Sequence, residues 1–178
     1  VAYAKELLQD SNILVCTVIG FPLGANTIAV KQAETMDAIT NGADEIDMVI
    51  NIGQAKAHNF DYIQEEIKAV VQAAQNRTVK VIIETCYLTD EEKIAICQAA
   101  STAGAHFVKT STGFGSGGAT VEDVKLMREV IPSEMSVKAS GGIRSLSDLE
   151  KMVAAGANRI GASSGVAIMN NQKSTENY

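Results

Sequence analysis

A chain of 178 residues, 46% of them hydrophobic, can bury one core and is short for two, so a single domain over residues 1–178 is expected. Its formal net charge of -6 argues against nucleic acid and acidic membrane surfaces as partners. Cys16, Cys86 and Cys97 show no C-x-x-C spacing, no signal-like N-terminus is present and no apolar run reaches membrane-spanning length; together these point to a soluble cytoplasmic protein.

In chain order, six short runs rich in β-branched or apolar residues read as strands: "ILVCTVI" (13–19), "EIDMVIN" (45–51), "VKVIIET" (79–85), "HFVKTST" (106–112), "MSVKAS" (135–140) and "NRIGAS" (158–163). Between them lie segments of helical periodicity, with Asn26, Asp61, Thr89 and Thr120 placed as N-caps and Ser145 or Ser147 opening the last crossover. Strand and helix therefore alternate, which builds a parallel sheet. The entries "NGADE", "AGAHF" and "AGANR" repeat one αβ turn, each with a helix-ending glycine (Gly42, Gly104, Gly156) before the next strand. Such repetition favours an α/β fold of the (β/α)8 TIM-barrel type, here with about six βα units, over a doubly wound sheet. "GFPLGANT" (20–27) has the wrong spacing for a dinucleotide loop. The polar run 170–178, which ends in Tyr178, is expected to be a flexible tail.

In a barrel, chemistry belongs at the C-terminal strand ends and in the loops that follow. Lys109 in "FVKTS" and Lys138 in "SVKAS" occupy matching places in successive strands. With period-two alternation both point inward if their valine neighbours meet the helices. Burial and a neighbouring cation each disfavour an ammonium, so one lysine can become a neutral amine, a nucleophile for carbonyls. A single strand lysine is more often a rim charge paired with a carboxylate such as Asp47 or Glu84; two in register shift that balance. Asp47 faces the same interior, as an ion-pair partner or as a proton carrier.

Glycine-rich segments follow the last three strands: "STGFGSGGAT" (111–120), "SGGIR" (140–144) and "GASSG" (161–165). Their backbone N–H groups can cradle a phosphate, with Arg144 adding charge and "SSGVAIMN" forming a short extra helix. Cys16 and Cys86 read as small packing groups, Glu84 as a residue holding water or a lysine, and His58 and His106 as surface or strand-start residues. No metal is assigned, because no metal-ligand spacing is present.

Taken together, "CTVIGFPLGA", "GADEIDMVIN", "VKVIIET", "FVKTSTGF", "VKASGGIR" and "RIGASSG" resemble the motifs of the deoxyribose-phosphate aldolase family, class I aldolases with a (β/α)8 barrel. The resemblance implies that Lys109 forms an imine, Lys138 is its cationic neighbour and Asp47 transfers protons. It implies a substrate phosphate on Gly141, Gly142, Ser163 and Ser164 and near Thr112 and Gly113. It further implies a cofactor-free, reversible cleavage of 2-deoxy-D-ribose 5-phosphate to D-glyceraldehyde 3-phosphate and acetaldehyde, often by a dimer. One departure stands out: the family's opening part, including a first strand of the type "IDHTLLK", has no counterpart here. The expectation is a barrel with a gap between its first and last runs, the opening segment either existing outside this sequence or being absent with another chain covering the gap. The alternative reading is a non-catalytic partial barrel that binds sugar phosphate or acts as an oligomerising fragment. A transaldolase-like barrel would share the lysine but prefer ketose donors.

Overall fold

The computed structural model describes residues 1–172, so the expected tail lies, from residue 173 to Tyr178, outside the described residues. Six parallel strands, β1 (Cys16–Ile19), β2 (Glu45–Val49), β3 (Thr78–Ile82), β4 (Phe107–Lys109), β5 (Ser136–Ser140) and β6 (Arg159–Gly161), pair in sequence order. Among the described residues β1 and β6 each have one strand neighbour, so the sheet is an open barrel, as the sequence led us to expect. The crossovers carry α2 (Ile28–Thr40), α4 (Phe60–Ala73), α5 (Asp90–Thr102), α6 (Val121–Val130) and α7 (Leu146–Ala154). Three short helices were not all foreseen: α1 (Ala2–Leu7), α3 (Ile52–Lys56) and α8 (Gly165–Met169), the last being the extra helix expected after β6. Helix α3 escaped the periodicity because it is five residues long and includes Gly53; Asn51 starts it by accepting a hydrogen bond from Gln54 N.

Two helix starts differ from the sequence expectation. Thr27, not Asn26, caps α2 through the amide of Val30, and Asn59, not Asp61, caps α4 through that of Tyr62. Asp61 instead sits in the first turn of α4, where its charge suits the helix dipole. Thr89, Thr120 and Ser145 cap α5, α6 and α7, and Thr89 forms a full capping box with Glu92. At the other ends, Gly42, Gly104 and Gly156 have φ of 95°, 81° and 111°, so all three repeats use a left-handed turn that a side chain would strain.

Alternation sorts each strand into two faces. Ile46, Met48, Val79, Val81, Val108, Val137 and Ala139 are buried against Ile63, Ile67 and Val70 of α4, Ile96 of α5 and Met127 of α6, in one apolar cluster. The opposite face carries Cys16, Glu45, Asp47, Lys80, Lys109, Lys138 and Arg159. Burying the valines outward is what aims the charged residues at the barrel interior, because one residue of slip would exchange the two sets.

Behind the sheet, Lys31 of α2 and Glu66 of α4 form an ion pair of 2.6 Å with both side chains fully buried. Lys31 Nζ also donates to the carbonyls of Gly24 and Val49, while Glu66 accepts from Asn51 N. The pair therefore ties the loops after β1 and β2 to two helices, and no polar partner is left unmet. Among the described residues no helix is long and apolar enough to cross a membrane.

Candidate active site

Strand register places the ionisable residues. Lys109 is the Cα partner of Lys138 across β4–β5, and Asp47 is the partner of Lys80 across β2–β3. Lys109 is the last residue of β4, not mid-strand as the longer run "HFVKTST" suggested; the chain leaves the ladder at Thr110, which puts the amine at the C-terminal rim. Lys138 lies in the middle of β5.

Asp47, 2% exposed, is the hub of the arrangement. Its Oδ2 accepts from Lys109 Nζ at 2.8 Å and from Lys138 Nζ at 2.9 Å, and its Oδ1 accepts from Lys80 Nζ at 2.8 Å. Burial opposes the charge on Asp47, but the three lysines outweigh it and hold the carboxyl well below its usual range. Lys109 shifts the other way. Burial pushes its amine below the usual lysine range and Lys138 pushes with it, against the pull of Asp47. Lys80 is fully buried, yet Asp47 and Glu45 outweigh the burial and hold it above its usual range. The cluster thus contains one amine, that of Lys109, biased towards neutrality, which is what carbonyl attack requires.

Lys80 was missed in the sequence, although "TVKVI" repeats the Val-Lys pattern of "FVKTS" and "SVKAS" and its parity alone could have found it. Cys16 corrects the packing reading. It sits on the edge strand β1, exposed on the interior face, 3.1 Å from Asp47 Oδ1 and 3.4 Å from Lys80 Nζ. Burial and Asp47 push its thiol up to about 11, so it is a poor nucleophile at neutral pH. Glu84 holds neither of the lysines. It adopts a left-handed backbone (φ 55°), and its carboxylate accepts from the amide and the hydroxyl of Thr112. Thr112 Oγ1 accepts in turn from Phe114 N at 3.0 Å. Phe114 meets Phe21 edge-on at 5.5 Å, joining the loops after β4 and β1. His106 stands at its strand start, with Nδ1 accepting from Val79 N, and His58 is exposed, as expected of both. No group of three or more metal-ligating side chains occurs among the described residues.

Above the lysines opens a cavity of about 450 Å³. Lys109 and Lys138 line it together with Thr112, Gly113, Gly141, Gly142, Arg144, Ser163 and Ser164, so the loops after β4, β5 and β6 converge on one space. Gly118 packs so tightly on the next loop that a Cβ there would lie 2.4 Å from the carbonyl oxygen of Gly141. Ala119 N donates to the carbonyls of Ser140 and Gly141, which locks the two glycine loops edge to edge. Gly141 and Gly142, at φ 83° and 77°, turn their backbone in a way that side chains resist. The arrangement can hold a small anion at the loops and present a carbonyl to Lys109 at the strand ends.

Comparison with known proteins gives a family and a fold. A family model described as DeoC/LacD family aldolase matches residues 6–172. The deoxyribose-phosphate aldolase of Staphylococcus epidermidis is 62% identical over 178 residues, all of this chain and 81% of that protein. A crystal structure from Coccidioides immitis superposes with a TM-score of 0.93 at 46% identity, covering 95% of this chain and 68% of that one. The deoxyribose phosphate aldolase of Aeropyrum pernix, described as tetrameric, gives a TM-score of 0.88 at 34% identity, covering 95% of this chain and 72% of that one.

Proposed function

The chain belongs to the DeoC/LacD family of aldolases, and on that premise we propose that it is a lyase that reversibly cleaves 2-deoxy-D-ribose 5-phosphate to D-glyceraldehyde 3-phosphate and acetaldehyde through a Schiff base on Lys109. The observation that carries this reading is the shared carboxylate: Lys109, biased towards its neutral form, lies 2.8 Å from the same Asp47 oxygen that holds Lys138.

The chemistry follows from that placement. Neutral Lys109 Nζ adds to the aldehyde carbon of the open-chain sugar, and loss of water gives a protonated imine. A base removes the proton from the C3 hydroxyl, the C2–C3 bond breaks, and its electron pair moves through C2 to quench the iminium as an enamine. D-Glyceraldehyde 3-phosphate leaves, the enamine is protonated at C2, and water hydrolyses the resulting imine to acetaldehyde and free Lys109. No cofactor is invoked, because the iminium is itself the electron sink. Asp47 is held ionised at neutral pH and accepts hydrogen bonds from Lys109 and Lys138, so it directs a proton shuttle that runs through Lys138 or a water. Gly141, Gly142, Ser163 and Ser164 would hold the phosphate, with Thr112, Gly113 and Arg144 at its margin.

Incubation with acetaldehyde and borohydride tests the reading: a stable two-carbon adduct on Lys109 by peptide mass supports it, and a folded protein that forms none refutes it. Identity of 62% over the whole chain speaks for the lyase against a non-catalytic fragment. We further place the protein in the cytoplasm, in the breakdown of deoxyribonucleotide-derived sugar, as one barrel-type domain. A homo-oligomer, with a dimer as the simplest closed form, is consistent with the tetramer described for the Aeropyrum relative.

A further inference from the structure

Arg159 is the Cα partner of Lys138 across β5–β6, as Lys138 is of Lys109, so three cations stand side by side on adjacent strands. The third turns away from the cavity. Its guanidinium crosses the interior to β2, where Nη1 donates to both carboxylate oxygens of Glu45 at 2.7 and 2.8 Å, and it stacks 5.0 Å over the ring of Phe107. Glu45 Oε2 is also 2.7 Å from Lys80 Nζ, and the same Nζ donates to Asp47 Oδ1. Burial opposes the charge on Glu45, but the bonds from Arg159 and Lys80 outweigh it and keep the carboxyl below its usual range. Opposite charges therefore alternate from Arg159 through Glu45 and Lys80 to Asp47, and the series ends on the carboxylate that Lys109 and Lys138 share.

We propose that Arg159 and Glu45 are positioning residues for the Schiff-base lysine, setting through Lys80 how much of the Asp47 charge is left to Lys109. This deepens the aldolase reading and rests on it for the role of Lys109. The charged and titratable groups around the Lys109 amine are Cys16 from β1, Glu45 and Asp47 from β2, Lys80 from β3, Glu84 beyond it, Lys138 from β5, Arg144 in the loop that follows, and Arg159 from β6. Glu45 and Arg159 are outside the cavity lining and can be altered without touching a substrate group. Removing Arg159 takes away a cation and lets Glu45 bind Lys80 more closely, which frees Asp47 for Lys109; both effects favour the protonated amine. Removing the charge of Glu45 does the reverse on both counts.

The test uses Arg159→Met, Arg159→Lys and Glu45→Gln. The pH dependence of Lys109 acylation by a small amine-reactive reagent, read at that residue by peptide mass, reports its titration independently of turnover. Arg159→Met is expected to move the profile up by about half a pH unit and Glu45→Gln down by a similar amount, small because the Arg159 side chain is 40% exposed and screened. Arg159→Lys should restore the wild-type profile. Unchanged profiles, or shifts of one sign in both charge-removing variants, overturn the proposal, since a loss of packing alone gives no opposite signs. If Glu45→Gln does not fold, the contrast between Arg159→Met and Arg159→Lys decides. Borohydride trapping in parallel separates the two readings: shifted profiles with no acetaldehyde adduct on wild-type Lys109 would leave the charge coupling standing and remove the Schiff base.

Discussion

Lys109 and Lys138 face one another across a strand ladder and share a single carboxylate oxygen, Asp47 Oδ2, at 2.8 and 2.9 Å. Two ammonium groups at that separation repel, and one carboxylate cannot neutralise both while also serving Lys80. The stress falls on Lys109, which is held below its usual range, whereas the carboxylates around Lys80 hold that lysine above its own. An arrangement that looks like salt-bridge stabilisation therefore also biases one amine towards its neutral, nucleophilic form.

Lys138→Leu should raise the pKa of Lys109 by removing the cation that helps depress it. Trapping with acetaldehyde and borohydride depends on the neutral amine, so its rate rises as pH climbs through that pKa. In wild type the rise should lie below the ordinary lysine value of about 10.4; in the variant it should move up by about one pH unit, and trapping at pH 7 should slow about tenfold. An unchanged profile would remove Lys138 from the mechanism.

Asp47→Asn leaves Lys80, Lys109 and Lys138 without their common anion. Breaking a buried pair in this way typically costs about 3–5 kcal/mol, which urea denaturation would measure, and turnover should fall by about a hundredfold. The pH signature has a fixed sign. The folded-state pKa of Asp47 lies below its unfolded value, so its contribution is fully present above about pH 4 and lost as pH falls further. Wild-type stability should thus drop on acidification more than that of the variant; parallel curves would contradict this.

Gly118→Ala tests the phosphate end separately from the amine. The new Cβ would lie 2.4 Å from backbone of Gly141, so the two glycine loops must part. The KM for 2-deoxy-D-ribose 5-phosphate should rise about tenfold or more, whereas trapping of acetaldehyde, which carries no phosphate, should change little. Equal loss in both assays would show that the loops support the lysines and not the phosphate.

Lys31→Met strands Glu66 in a fully buried position. A destabilisation of about 3 kcal/mol or more is expected in urea, and Lys31→Met combined with Glu66→Leu should recover part of it, since replacing both partners removes the uncompensated charge. Full additivity of the two single changes would argue against the coupling.

Strand order, the three repeated turns and the inward aim of Lys109, Lys138 and Asp47 were legible because valines flanking a lysine force a parity choice, and a core must take the valines. Lys80 in "TVKVI" obeys the same rule, standing between the buried Val79 and Val81. Glu84 and Cys16 were harder. The role of Glu84 depends on a left-handed turn just beyond β3, where alternation stops. The surroundings of Cys16 depend on β1 standing at the sheet edge, which no local pattern encodes. Arg159 reaches a carboxylate 114 positions away in the chain, a contact that only the curvature of the whole sheet can create.

The inward-and-outward alternation of β4 has a consequence for how this chain can change. Inserting one residue within the strand, so that the register of Val108 and Lys109 slips by one, would turn Val108 into the cavity and drive the lysine among α-helical isoleucines, although every amino acid of the motif would still be present. The reactive centre is in this sense written in a reading frame of two. Length variation is permitted between the strands, in the segments that carry the loops and helices, and is forbidden inside them. A designer wishing to widen the cavity has to work on the glycine loops and leave the spacing of the strand residues untouched.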